Sequence, residues 1–146
     1  MGPNDVIDVT ERASRRDPGT LRILLVDDEP VSLAALQAAL NQGEIAIVGS
    51  TDSGEHALDL ARILDPDIAL IRWSLPRFGG ALTARLMQWH APNVTPVLLV
   101  DAEDRDELGD DEPEIVSIMR PVSRSELRAT LRRIDRTAGR GHVRHP

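Results

Sequence analysis

The sequence predicts an α/β domain: a doubly wound, five-stranded parallel sheet with helices on both faces, the fourth helix short or irregular. Three observations predict it. Between residue 21 and about residue 137, five short apolar runs alternate with segments of helical period. The runs are close to continuously apolar rather than alternating, as strands buried on both faces are. No internal repeat or low-complexity tract competes with that pattern.

Residues 1–20 are polar, contain Pro3, Pro18 and Gly19, and hold no sustained period, so they are expected to form a flexible leader. The first strand occupies residues 21–26 and ends in Asp27-Asp28-Glu29-Pro30. Pro30 suits the first turn of the following helix, whose Leu33, Leu36 and Leu40 share one face. A second strand over residues 45–48 is expected to stop at Gly49-Ser50. Ser53-Gly54-Glu55 then opens a helix that aligns Ala57, Leu58, Ala61 and Leu64 and ends at Pro66-Asp67. The third strand covers residues 68–73. Pro76 and Gly79-Gly80 lead into a helix over residues 81–90, with Leu82, Leu86 and Trp89 expected to face inward. Residues 96–100 form the fourth strand.

Residues 101–114 hold nine acids in fourteen positions and are broken by Gly109 and Pro113, leaving room only for a short helix over residues 104–108. The fifth strand covers residues 115–119 and ends at Arg120-Pro121. Ser123 and Glu126 then make a capping box for the last helix, which buries Leu127, Leu131 and Ile134. The folded domain is expected over residues 21–137, followed by a basic flexible tail over 138–146.

Composition narrows the function. The chain has 146 residues and a formal charge of −7, the length of one domain with an ordinary core. Without cysteine it has no disulfide, thiolate metal site or thiol chemistry. No apolar run approaches the roughly 20 residues that span a bilayer, and the first residues lack the apolar stretch of a secretory signal. A cytoplasmic protein with no membrane contact is expected.

Charge divides sharply, −13 over residues 1–119 against +6 over 120–146, and all basic residues are arginine. Arg124, Arg128 and Arg132 recur every fourth residue, with Arg133, Arg136, Arg140 and Arg144 beyond, a spacing that reads as a solvated face. With no DNA-binding module and three aromatic residues for stacking, nucleic-acid binding is not expected. His56, His90, His142 and His145 show no metal-ligand spacing beyond a loose pair in the tail.

Open parallel sheets place ligands at the carboxyl ends of their strands. The residues there are Asp27 and Asp28, Arg72 and Trp73, Asp101, and Arg120, and the sheet is expected to bring them to one crevice. Walker-type loops and G-x-S-x-G elbows are absent, and Glu29 is followed by Pro30 rather than the turn of an aspartate-based phosphatase, so no enzyme is predicted.

Over residues 21–137 the chain resembles the receiver domain of two-component response regulators. The resemblance rests on Val26-Asp27-Asp28-Glu29-Pro30, Gly54 with Ala57-Leu58, Pro66-Asp67-Ile68, Leu75-Pro76 with Gly80, and Arg120-Pro121. It implies a flavodoxin-like fold and a site in which an acidic pair holds magnesium, an aspartate ending the third strand accepts phosphate from a histidine kinase, and a Ser or Thr and a Lys steady the phosphoryl group. Asp27 and Asp28 match the acidic pair. Arg72 stands where the acceptor aspartate is expected, Asp101 where the hydroxyl is expected, and Arg120 where the lysine is expected. Ser117 replaces a switch aromatic, with Trp73 and Ser117 on the pocket rim.

Three carboxylates against two guanidiniums leave this crevice at −1, so an internal cluster of Asp27, Asp28, Asp101, Arg72 and Arg120 is expected to replace metal and phosphate. An Arg–Asp pair 4 Å apart attracts by about 4 kcal/mol gross at an effective dielectric near 20, before desolvation is subtracted. The resemblance thus implies a degenerate pseudo-receiver, with no cofactor and no catalytic residue. Such a domain would act in phosphorelay signal transduction through phosphorylation-independent protein–protein interaction with a signalling protein or kinase, or as a homodimer. Two alternatives remain at this stage: a crevice that binds a small anionic ligand, and a decoy that competes for a kinase or phosphotransfer protein.

Overall fold

The computed structural model describes residues 19–108 and 114–141. Five strands, β1 (Leu21–Val26), β2 (Ile45–Thr51), β3 (Ile68–Arg72), β4 (Thr95–Asp101) and β5 (Val116–Arg120), form one parallel sheet in the order β2-β1-β3-β4-β5. The helices are α1 (Pro30–Leu40), α2 (Gly54–Leu64), α3 (Gly79–His90), α4 (Arg105–Leu108) and α5 (Arg124–Gly141). The doubly wound parallel fold expected from the run pattern is the observed one.

Side-chain alternation along the inner strands divides the core into two layers. Leu24, Val26, Ala69, Ile71, Leu98 and Val100 pack with Ala57 and Ala61 of α2 and Ala84 and Met87 of α3. On the other face, Ile23, Leu25, Ile68, Leu70, Val97 and Leu99 pack with Leu36 and Leu40 of α1 and Leu127 and Leu131 of α5. Each fully buried aliphatic contributes about 1.5–3 kcal/mol. β1 is buried along its whole length, Arg22 included. The Arg22 guanidinium donates to the Asp65 carbonyl at 2.8 Å, where α2 ends in a left-handed residue.

Several expectations are corrected. β2 does not stop at Gly49-Ser50; it continues to Thr51 after a shift in its register with β1 between Ile23 and Leu24. Helix α3 starts at Gly79 and buries Gly80, Thr83, Ala84 and Met87. Leu82 and Trp89, expected inside, are 45% and 84% exposed. The reason is steric: a Cβ at residue 80 would lie 2.3 Å from the Arg72 carbonyl oxygen. The face bearing Gly80 therefore presses on the end of β3 and turns the larger side chains outward.

After β4 the chain makes a 3-10 turn (Ala102–Asp104) and the four-residue α4, which has no fully buried residue and only rests Leu108 against the α2–α3 layer. The rest of the acidic segment, residues 109–113, lies outside the described residues, as do residues 1–18 of the expected leader. α5 runs on to Gly141, so residues 138–141 are helical rather than tail; residues 142–146, with His142, Arg144 and His145, lie outside the described residues.

The basic row on α5 is not simply solvated. Arg128 reaches α1, where its Nη1 donates to the carbonyls of Ala39 and Leu40 at 3.1 and 3.2 Å and its Nη2 donates to Gln42 O at 3.1 Å. It thereby caps the negative end of that helix. Arg132 pairs with Glu44. Among the described residues no helix is long and apolar enough to cross a membrane.

Candidate functional site

β1 ends one residue before Asp27, whose backbone amide still donates to Thr51 O of β2 at 3.0 Å. The Asp27 side chain points back under the loop to α1 and is only 1% exposed. Its Oδ1 accepts from Glu29 N at 2.9 Å, while Glu29 itself caps α1 by accepting from Val31 N and Ser32 N. Local chain geometry thus fixes Asp27 and brings Ser32, in the first turn of α1, beside it.

Parallel pairing sets the other groups. β3 ends in Arg72, and β4 and β5 pair so that Asp101 lies opposite Arg120. Gly80 allows α3 to seat against the Arg72 backbone, which holds the strand end in place.

The side chains close a ring. Arg72 Nη1 donates to Asp27 Oδ1 at 3.2 Å, and its Nη2 donates to Asp101 Oδ2 at 3.0 Å. Arg120 Nε donates to Asp101 Oδ1 at 2.8 Å, and its Nη1 donates to Ser32 Oγ at 2.6 Å. Ser32 Oγ then donates to Asp27 Oδ2, the starting carboxylate. Arg72 Nε donates to Ser74 Oγ at 3.0 Å outside the ring. With side chains 17–20% exposed, Arg72, Asp101 and Arg120 sit at a mostly buried floor rather than on open surface.

Burial by itself lowers the Arg72 pKa, but the hydrogen bond and charge of Asp27, then the charges of Asp101 and Asp28, outweigh it, and the net shift is upward. Arg72 is therefore permanently cationic. All four carboxylate oxygens of Asp27 and Asp101 already accept from the chain, and no group of three His, Cys, Asp or Glu among the described residues is disposed to hold a metal ion. The donor set does not fit a divalent cation.

Of the residues singled out from sequence, the structure brings Asp27, Arg72, Asp101 and Arg120 together. Asp28 is exposed and lines a neighbouring cavity of about 340 Å³ with Asp52, Ser53 and Phe78; it reaches Arg72 only through its field. Trp73 is partly buried against the α2–α3 layer, its amide donating to Leu99 O at 2.9 Å. Ser117 is exposed, and on β5 it has the opposite parity to Arg120, which places it on the other face of the sheet. Ser32 was not foreseen. Its only sequence signal is its place five residues after Asp27, across the turn into α1.

Comparison with known proteins follows the same lines. Over residues 23–132 the chain matches the response regulator receiver domain family. It is 35% identical over 85 residues to a protein-glutamate methylesterase/protein-glutamine glutaminase of Methanospirillum hungatei, covering 58% of this chain and 24% of that protein. It is 33% identical over 93 residues to the transcriptional regulatory protein NarL of Mycobacterium tuberculosis, covering 62% and 42%. The chain thus spans less than half the length of these relatives.

Among solved structures, the signal receiver domain of Mycobacterium tuberculosis NarL superposes with a TM-score of 0.73 at 21% identity, over 82% of this chain and 98% of that one. The receiver domain of a modulated diguanylate cyclase from Desulfovibrio desulfuricans gives 0.74 at 21% identity, over 84% and 99%. At such identities these two speak to the fold alone. The family match covers most of the chain, the sheet has the family's strand order, and acidic and basic strand ends converge at its carboxyl edge: this chain belongs to the response regulator receiver domain family, a signalling module of two-component systems.

Proposed function

We propose that this receiver signals without phosphoryl transfer. In this reading Arg72 takes the place of the acceptor aspartate, the closed ring takes the place of metal and phosphate, and the folded unit from residue 21 through the last helix regulates by binding a signalling protein or kinase in one fixed shape. The observation that carries it is the double contact of Arg72 with Asp27 at 3.2 Å and Asp101 at 3.0 Å. A guanidinium is no nucleophile toward phosphorus. Magnesium, which demands near-octahedral oxygen ligands, would meet a fixed cation and carboxylates already committed to other partners.

Incubation with acetyl phosphate and magnesium, followed by intact-mass spectrometry, is expected to give no phosphoryl adduct. Calorimetric titration with magnesium alone is expected to show no binding at millimolar concentration. A phosphoryl adduct on any aspartate, or magnesium affinity equal to that of phosphorylatable receivers, overturns the reading. Binding to a histidine kinase without phosphate uptake would assign the partner to the kinase class. The anionic-ligand alternative has less support: Arg72 and Arg120 direct their donors to Asp27, Asp101, Ser32 and Ser74, and with Asp28 the crevice stays net negative.

A further inference from the structure

The largest exposed apolar side chains away from the ring gather on one face. Trp89 and Leu82 are 84% and 45% exposed on α3, and Ile63 is 75% exposed on α2. Leu82 and Trp89 are seven residues apart, two helical turns, and so share an azimuth. Ile63 stands two residues from the buried Ala61 and Trp89 two residues from the buried Met87, so each points away from the sheet. The two helices pack side by side on the same layer, closely enough that a Cβ at residue 54 would lie 2.3 Å from Thr83 Oγ1. Their outer surfaces therefore form one continuous face.

Exposed charges interrupt it, Glu55, Asp59 and Arg62 on α2 and Arg85 on α3, and of these Glu55 pairs with Arg77 at 3.8 Å. Asp59 and Arg62 lie on α2 beside Ile63, both exposed, and neither forms an ion pair within the chain among the described residues. Acid and base three residues apart on a helix commonly pair with each other; here they stay open.

We propose that the α2–α3 face is a self-association surface, on which a second copy of this chain docks about a two-fold axis, with Trp89 and Ile63 at its centre and Asp59 of each copy against Arg62 of the other. Charge complementarity selects that occupant. A partner of one sign would repel half of the exposed pair, whereas a two-fold copy presents Arg62 to Asp59 and Asp59 to Arg62 in the same contact. Two helices of 11 and 12 residues side by side offer a face of roughly 17 Å by 20 Å. That footprint suits a reversible dimer rather than a permanent one. The inference is independent of whether the ring accepts phosphate.

Sedimentation equilibrium of the full chain from about 10 to about 500 micromolar is expected to show a monomer–dimer equilibrium. Asp59→Arg and Arg62→Asp are each expected to weaken it by about tenfold or more, because each turns two attractions into two repulsions. An equimolar mixture of the two variants is expected to recover the dimer, since one copy then brings two guanidiniums to the contact and the other brings two carboxylates. Trp89→Ala is expected to leave monomer across the range. Far-UV circular dichroism checks that every variant is folded. Monomer throughout for the parent chain, undiminished association of any variant, or a mixture that stays monomeric overturns the proposal.

Discussion

Asp27 is the residue on which the ring turns. A carboxylate this dry is tolerable only with its partners in place, and it has three: the Glu29 amide, Arg72 and Ser32. Arg72→Ala is expected to cost about 2–3 kcal/mol, measured by urea denaturation, because it leaves a buried charge without its cation. The same substitution is expected to confer tighter magnesium binding than the parent shows, read by calorimetry on both; if the two do not differ, something other than Arg72 governs access of the ion. Arg72→Asp is expected to supply an acid without restoring phosphoryl-dependent switching, since Asp101 and Ser117 remain. Recovery of full switching, followed by ³¹P and amide NMR, would count against the ring as a substitute. At this scale the strand-end residues were legible because a parallel sheet gathers its carboxyl ends by rule. Ser32 was not, because its role depends on how a five-residue turn folds back, which no spacing rule reports.

Helix α1 is held at both ends by the β5–α5 unit. Arg120 grips Ser32 in its first turn, and Arg128 caps its last carbonyls. Arg128→Ala is expected to lower stability by about 1.5–3 kcal/mol, the range for charge-assisted hydrogen bonds, and to speed amide exchange in the last turn of α1 before that of α5. A loss below about 0.5 kcal/mol would reduce Arg128 to an ordinary surface arginine. Sequence showed Arg128 only as one member of a row at helical spacing. Which member meets another helix depends on packing that the row does not encode. The same limit explains α3: its large apolar residues suggested an inward face, yet apolar side chains are not confined to interiors. The small residues Gly80 and Ala84 mark the buried face, and at Gly80 the backbone of β3 approaches it closely.

For the whole molecule, five apolar runs sufficed to indicate the sheet, while the order β2-β1-β3-β4-β5 came only from the structure, since alternation alone does not say which strands neighbour. Proton-driven switching through Arg72 is closed to this fold. A group whose pKa is raised on folding contributes stability that is complete below its unfolded pKa and disappears only as pH climbs through the folded one. For a guanidinium that window lies above ordinary working conditions. The stability gap between the parent and Arg72→Ala is therefore expected to stay constant from about pH 7 to about pH 10 in urea titrations; a gap that narrows toward alkaline pH contradicts it. Five links that return to their starting carboxylate also behave unlike five separate bonds. Once Ser32→Ala has cut the circuit, its loosened arms relax into solvent, so adding Arg72→Ala should hurt less than it does alone. The shortfall of the double variant from simple additivity, about 0.5–3 kcal/mol, measures what closure is worth beyond its individual contacts.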